Sequence, residues 1–161
     1  MKPVIHPHDL SLDHWTQGEL YESRDQSFGK MLGLEKLGIS YCQVPPGKSG
    51  CPFHNHHHVD EAFVILSGIG RYRFGSEHYD VGPGNVLGAP AGGPDTAHQL
   101  INTGQTPLIY FAISANAAAD LVEYPDSGKF QAISKRSDGE RFRFVGRSDS
   151  ARDYWEDEPG A

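Results

Sequence analysis

The stretch that decides the fold is CPFHNHHHVDEAFVILSG, residues 51–68. Its first half concentrates four of the nine histidines of the 161-residue chain within five positions. Its second half, EAFVILS, is a run of mostly apolar residues that ends at a glycine, a composition typical of a buried β-strand. The spacing of the histidines, more than their number, indicates which of them could share one metal ion.

The extended backbone that Pro52 favours would divide the four histidines between two faces. Because side chains alternate along a strand, His54, His56 and His58 point one way. His57 then points the other way, and we expect it at the surface or beside the site. Two imidazoles at positions i and i+2 lie roughly 6–7 Å apart along the backbone, close enough to share one ion. His58 falls where the chain turns toward the next strand, so we expect it at a pocket rim or at the surface.

Two further candidate ligands lie outside the histidine cluster. Glu61 begins the next predicted strand and shares a face with Phe63 and Ile65, so its carboxylate needs a metal or a cationic partner. His98 begins a strand-like stretch, HQLIN, in which it shares a face with Leu100. Three predicted strands separate Glu61 from His98, enough chain for a sheet to bring them together. Phe63, Ile65 and Leu100 are the predicted apolar walls of the site.

Short β-type runs separated by turn residues extend over residues 31–114. Nineteen glycines and eleven prolines interrupt the chain. The predicted strands are residues 39–44, 61–67, 71–74, 78–81, 86–89, 97–102 and 108–113. Strands at a spacing of roughly 8–12 residues indicate an all-β sandwich or barrel rather than alternating helices and strands.

The ends of the chain have a different character from its middle. We divide the sequence into an N-terminal arm along the barrel edge (1–30), a β-barrel (31–115) and a C-terminal extension (116–161). Where the extension begins, ANAAADLVEY favours a short helix, and RFRFV further on favours a strand. The extension ends in an acidic aromatic segment, DYWEDEP. Its Tyr154 and Trp155 either pack back on the barrel or lie in a dimer contact.

Composition and charge exclude several classes of function. The net charge of −7, from 14 basic and 21 acidic residues, disfavours nucleic acid, because Lys and Arg supply most of the affinity for phosphates. No apolar run approaches the ~18 residues of a membrane-spanning helix. The opening MKPVIHPHDL lacks the apolar stretch of a secretory signal, so we expect a cytoplasmic protein without a membrane partner. Cys42 and Cys51 are too few for a disulfide framework.

Two motifs in this sequence resemble those of the cupin superfamily. His54-x-His56, four residues, Glu61, six residues and a glycine are similar to the first cupin motif. GNVLGAP at residues 84–90, followed by His98, is similar to the second. The resemblance covers about half of the chain, and the two motifs together are specific.

The resemblance implies both a fold and a site. The fold is an all-β, double-stranded β-helix or jelly-roll barrel, here with an N-terminal arm and a C-terminal extension. The site is a single six-coordinate divalent metal ion with positions open to water or substrate. By this resemblance the metal ligands are His54, His56, Glu61 and His98.

The chemistry of such a centre leaves more than one function open. Three neutral imidazoles and one carboxylate give a divalent centre a net charge of about +1, which favours anionic or chelating oxygen ligands. Mixed nitrogen and oxygen ligation does not distinguish among manganese, iron, zinc, nickel, cobalt and copper.

One hypothesis is a metal-dependent enzyme that acts on a small oxygen-rich metabolite, either a sugar phosphate isomerase or a dioxygenase. An isomerase needs a general base, and the motifs offer no clear second carboxylate. The alternative is a binding or sensing protein in which the metal anchors a ligand. We expect a homodimer, as many cupins form.

Overall fold

The computed structural model describes residues 2–160, which form an all-β protein. Within them lie thirteen strands and four short 3-10 helices. In chain order the strands are β1 (Asp13–Gln17), β2 (Tyr21–Ser27), β3 (Leu37–Val44), β4 (Asn55–His56), β5 (Glu61–Ser67), β6 (Gly70–Phe74), β7 (Glu77–Val81), β8 (Val86–Ala89), β9 (His98–Asn102), β10 (Leu108–Ala115), β11 (Ala119–Tyr124), β12 (Lys129–Lys135) and β13 (Arg141–Arg147). The 3-10 helices are Pro7–Asp9, Gly29–Leu32, Pro94–Thr96 and Ser148–Ser150.

All seven strands predicted between residues 31 and 114 are present, with ends that differ by no more than two residues. Gly68, which closes the first motif, lies in the tight turn between β5 and β6 with a φ of +82°. A Cβ atom at this position would lie 2.5 Å from the carbonyl oxygen of Pro107. Because only glycine accepts both this φ and this close approach, the turn requires it.

The first layer of the fold is an antiparallel sheet in the order β1-β2-β3-β10-β5-β8. Its central strand, β10, pairs with β3 on one side and with β5 on the other. The register places Ser114 opposite Glu61. Glu61 therefore lies at the end of the barrel where β5 begins and β10 finishes.

The second layer is built from two shorter sheets, β7-β6-β9 and β13-β12-β11-β4. A backbone bridge joins them, because His54 N donates to His98 O at 3.1 Å and His98 N donates to His54 O at 2.8 Å. The C-terminal strands thereby continue the layer that contains β9. Two facing layers of antiparallel strands form the jelly roll, which confirms the predicted fold class.

The core lies between the two layers. Val44, Ile65 and Leu108 from the first layer are at most 1% exposed, and burying each stabilises the fold by roughly 1.5–3 kcal/mol. Tyr72 and Leu100 from the second layer pack in the same cluster. The three side chains predicted as walls of the site are all buried here: Phe63, Ile65 and Leu100.

The N-terminal arm takes a more regular form than its polar sequence predicts. β1 and β2 form a hairpin, and β2 pairs with β3 at the edge of the first layer. Trp15 Nε1 donates a hydrogen bond to Asp25 Oδ2 at 2.8 Å, which ties the two strands together. The arm therefore extends the first layer by two strands.

The prediction of a helix at the start of the C-terminal extension is wrong. Ala119–Tyr124 is strand β11, which pairs with β4 on one side and β12 on the other. Asp120, Val122 and Tyr124 share the face toward the barrel, and Val122 is buried. The strand conformation buries the Val122 side chain and lets the backbone of β11 pair with β4 and β12. These gains outweigh the helix propensity of the alanines.

The aromatic residues of the tail do not pack on the barrel. Tyr154 is 81% exposed and Trp155 is 65% exposed, and their rings contact each other at 4.8 Å between centroids. The packing-back alternative is therefore wrong, and the dimer contact stays a prediction. None of the helices in residues 2–160 is long and apolar enough to cross a membrane.

Candidate metal centre

The four predicted ligands come from three segments that meet at one end of the barrel. His54 and His56 flank the start of β4, Glu61 is the first residue of β5, and His98 is the first residue of β9. The His54–His98 backbone bridge brings the two distant segments into register. The strand order therefore assembles residues that are far apart in the sequence.

All three imidazoles direct Nε2 toward a single carboxylate oxygen. Glu61 Oε2 lies 3.0 Å from His98 Nε2, 3.4 Å from His56 Nε2 and 3.7 Å from His54 Nε2. Ligand atoms of His54, Glu61 and His98 all lie within 4.8 Å of one another, so this group could hold a metal ion. The His56 ring is farther from the His98 ring, with 6.4 Å between centroids, and approaches the group from the Glu61 side.

The other ring nitrogen of each histidine is held by an oxygen acceptor. Nδ1 of His54 lies 2.8 Å from the carbonyl oxygen of Pro52. Nδ1 of His98 lies 3.3 Å from the carbonyl oxygen of Thr96. Because a carbonyl only accepts, Nδ1 carries the proton in both rings, and the lone pair of a neutral ring lies on Nε2. This orientation is the one that metal-binding histidines use, so the residues present fit a metal ion.

The remaining predicted ligand, His56, has a carboxylate partner that the sequence analysis did not predict. His56 Nδ1 lies 2.5 Å from Asp120 Oδ2, and Asp120 Oδ1 accepts a hydrogen bond from His58 N at 3.0 Å. Asp120 belongs to β11, the segment mistaken for a helix. The alternation of Asp120 with Val122 and Tyr124 is the only local signal that could have pointed to it. A carboxylate on Nδ1 fixes the ring and raises the basicity of Nε2.

Burial and the neighbouring side chains shift the pKa values of the cluster in opposite directions. Burial tends to raise the pKa of Glu61, but the imidazoles of His54, His56 and His98 around its carboxylate hold it well below its usual range. Burial tends to lower the pKa of His54, yet the neighbouring side chains of Cys51 and Glu61 raise it to about 10. Without a metal, the carboxylate is therefore ionised and is stabilised by a protonated imidazole. A divalent ion would take the place of that proton.

The remaining two histidines of the motif take different roles. His57 points away from the cluster, and its Nε2 lies 3.1 Å from Glu123 Oε2 on β11. His58 is exposed and contributes only its backbone N–H. Tyr124, next to Glu123, stacks over His54 with 6.2 Å between ring centroids. The C-terminal extension thus contacts the histidine stretch at several points.

The cluster opens on one side into a small cavity lined by both polar and apolar side chains. The cavity has a volume of about 180 Å³. Its lining includes His56 and Glu61 from the cluster, together with Ser114, Asp120 and Arg141. A small molecule in this cavity would contact the metal-ligand cluster directly.

Comparison with known proteins agrees with the fold. The family model for the cupin domain matches residues 40–114. Comparison with curated protein sequences gives no match. A crystal structure from Acidithiobacillus ferrooxidans, of a protein to which sugar phosphate isomerase activity has been ascribed, is similar with a TM-score of 0.78 and 26% identity. The alignment covers 94% of this chain and 96% of that one.

Two more distant structures support the fold alone. A sugar phosphate isomerase from a cupin superfamily, from Silicibacter pomeroyi, has a TM-score of 0.71 at 20% identity over 80% of this chain and 78% of that one. A predicted oxalate decarboxylase from Thermotoga maritima has a TM-score of 0.60 at 22% identity over 71% of this chain and 99% of that one. Together with the motifs and the jelly roll, the family-model match shows that residues 40–114 form a cupin domain.

Proposed function

We propose that this protein is a metal-dependent enzyme that acts on a small, oxygen-rich anionic metabolite, and that the reaction is the isomerisation of a sugar phosphate. The observation that carries the proposal is the opening of the His/Glu cluster into a cavity of about 180 Å³ whose lining includes several polar side chains. Ligand pockets for drug-sized molecules measure about 300–1,000 Å³, so this cavity suits the reactive end of a small metabolite.

The lining of the cavity favours a substrate rich in hydroxyl groups. Ser114, Asn116 and Asp120 supply hydroxyl, amide and carboxylate groups along its wall. Such groups exchange hydrogen bonds with sugar hydroxyls, and leaving them unpaired would disfavour an apolar ligand. The resemblance to the A. ferrooxidans protein, over nearly the whole of both chains, supports the same substrate class.

Such a reaction requires metal binding and proton transfer, which different residues would carry out. His54, His56, Glu61 and His98 would hold the ion, and a bound divalent metal supplies Lewis acidity toward a carbonyl oxygen. Isomerisation also moves a proton between neighbouring carbons, which requires a general base within reach. Asp120 is the other carboxylate that lines the same cavity as Glu61, and it would have to release its hydrogen bond with His56 or His58 to accept that proton.

The experiment begins with elemental analysis of protein purified without oxygen. Protein with a defined divalent metal is then incubated with aldose and ketose phosphates in D₂O and followed by NMR. We expect interconversion with deuterium incorporated next to the carbonyl, lost in His98→Ala and retained in His57→Ala. Oxygen uptake with small acids or phenols would overturn the isomerase in favour of a dioxygenase. Binding of sugar phosphates without any exchange would overturn catalysis in favour of a binding or sensing protein.

A further inference from the structure

A basic groove continues outward from the cavity at the metal-ligand cluster. It has a volume of about 520 Å³ and shares four lining residues with the inner cavity: Asn116, Ala117, Ile133 and Arg141. Three cationic side chains line it: Lys30, Lys135 and Arg141. Lys30 comes from the 3-10 helix before β3, whereas the other two come from the C-terminal extension, so distant parts of the chain converge here.

Two of these cations face each other across a strand pair. Lys135 ends β12 and Arg141 begins β13, and the antiparallel register places them directly opposite. Directly opposed residues project to the same face of a sheet, and like charges in this position destabilise the pairing. An anion bound between the two side chains would remove this repulsion.

None of the three cations is neutralised by a carboxylate in residues 2–160. The neighbouring ion pair, Arg136 with Glu140 at 3.8 Å, involves neither Lys135 nor Arg141. Glu35 is the one acidic residue among those lining the groove. This local excess of positive charge lies in a protein whose net charge is −7, so the groove would attract anions that the rest of the surface repels.

We propose that Lys30, Lys135 and Arg141 bind the phosphate group of the substrate, with its carbonyl end directed along the cavity to Glu61 and His56. This inference rests on the proposed function, which it deepens by assigning the phosphate subsite. Arg141 presents a planar guanidinium that can donate two parallel hydrogen bonds to phosphate oxygens. The lysines act as mobile point charges that accept phosphates in more than one orientation.

The test uses inorganic phosphate and metal-free protein, so that no phosphate can bind to a metal. Calorimetry gives the affinity, and NMR shifts of backbone amides report where phosphate binds. We expect the double variant Lys135→Gln/Arg141→Gln to bind phosphate at least tenfold more weakly, with loss of the amide shifts at residues 116 and 135–141. Unchanged affinity in this variant, or amide shifts elsewhere, would overturn the subsite.

The other end of the same hairpin offers a matched control. Lys129 lies directly opposite Arg147 in the same register, but neither residue lines the groove. The double variant Lys129→Gln/Arg147→Gln removes the same two charge types from the same two strands. We expect phosphate affinity within twofold of the original protein, and a similar loss in both double variants would overturn the assignment. Equal melting temperatures of the two variants will show that both are folded.

This experiment separates the subsite from the reaction. Phosphate bound in the groove of a protein that turns over no sugar phosphate would refute the proposed function and leave the subsite standing. Turnover in which Lys135→Gln/Arg141→Gln leaves KM unchanged would support the function and refute the subsite. We expect that variant to raise KM for the phosphorylated sugar at least tenfold with a smaller effect on kcat.

Discussion

Asp120 Oδ2 and His56 Nδ1 lie 2.5 Å apart, although the two residues are 64 positions apart in the sequence. The C-terminal extension therefore orients a predicted metal ligand that belongs to the barrel motif. Asp120→Ala should lower metal affinity about 10–100-fold, the range typical for loss of a carboxylate that holds a metal-binding histidine. Asp120→Asn keeps an acceptor oxygen and should therefore lower the metal affinity by less.

A matched control for this variant lies on the same strand. Glu123 on β11 pairs with His57 instead of a predicted ligand. Glu123→Gln should therefore leave the metal affinity within twofold, as measured by competition with a chromogenic chelator. Equal losses of metal affinity in Glu123→Gln and Asp120→Ala would contradict a specific role of Asp120. They would mean that substitutions on β11 weaken metal binding only by destabilising the fold.

Removal of single imidazoles should separate ligands from neighbours. His98→Ala takes away the ring whose Nε2 lies nearest to Glu61, at 3.0 Å, and should release the metal. His57→Ala removes a ring that points to Glu123 and should retain one metal per chain. Elemental analysis after dialysis gives the occupancy, and full occupancy in His98→Ala would refute the ligand assignment.

Metal binding should release protons near neutral pH. Burial lowers the pKa of His54, but the neighbouring side chains of Cys51 and Glu61 outweigh it and raise the pKa to about 10 in the metal-free protein. The ring is therefore protonated at pH 7, and it must lose about one proton to bind a metal. Calorimetric titration with zinc in buffers of different ionisation enthalpy will measure this release. A binding enthalpy independent of the buffer would contradict it.

The metal-free and metal-loaded proteins should respond differently to rising pH. In the metal-free protein, the raised pKa of His54 gives a stabilisation that is complete below the unfolded value of 6.5 and is lost as pH rises through about 10. Metal affinity rises over the same interval, because proton competition weakens. The increase in melting temperature on adding metal should therefore grow between pH 6.5 and pH 9. An increase that shrinks over this range would refute the account.

Adjacent residues of β5 should differ sharply in their effect on stability. Ile65 is 1% exposed in the core, whereas Leu66, on the opposite face, is 40% exposed. Ile65→Ala should lower the free energy of unfolding by about 2–5 kcal/mol, since it removes buried methyl groups and leaves a cavity. Leu66→Ala should change it by about 0.5 kcal/mol. Urea denaturation followed by fluorescence measures both, and similar losses would contradict the strand orientation.

Most of the barrel strands could be predicted because each carries its own local signal. Strands β5 and β8 combine apolar runs with flanking glycine or proline, and their predicted bounds agree with the structure. β4 has only two residues, too few to show a period. β1 and β2 are mostly polar and gain their order by pairing with β3, a partner that no local pattern reveals.

The candidate site was predictable to the extent that its members lie within motifs. His54, His56, Glu61 and His98 occupy positions whose spacing resembles the two cupin motifs. Asp120 lacks such a spacing, because its position depends on the pairing of β11 with β4. The basic groove depends likewise on the hairpin register of β12 and β13, which sets Lys135 against Arg141.

The pairing of β11 with β4 has a consequence for how this protein could be altered. The barrel supplies the metal-binding side chains, β11 supplies Asp120, and the β12–β13 hairpin supplies two of the three cations of the groove, Lys135 and Arg141. Grafting a different β12–β13 hairpin while keeping β11 could therefore redirect which anion is admitted, because Asp120 and the metal-binding side chains stay in place. The barrel with β11 and the β12–β13 hairpin would serve as separately exchangeable parts, one for reactivity and one for choice of substrate.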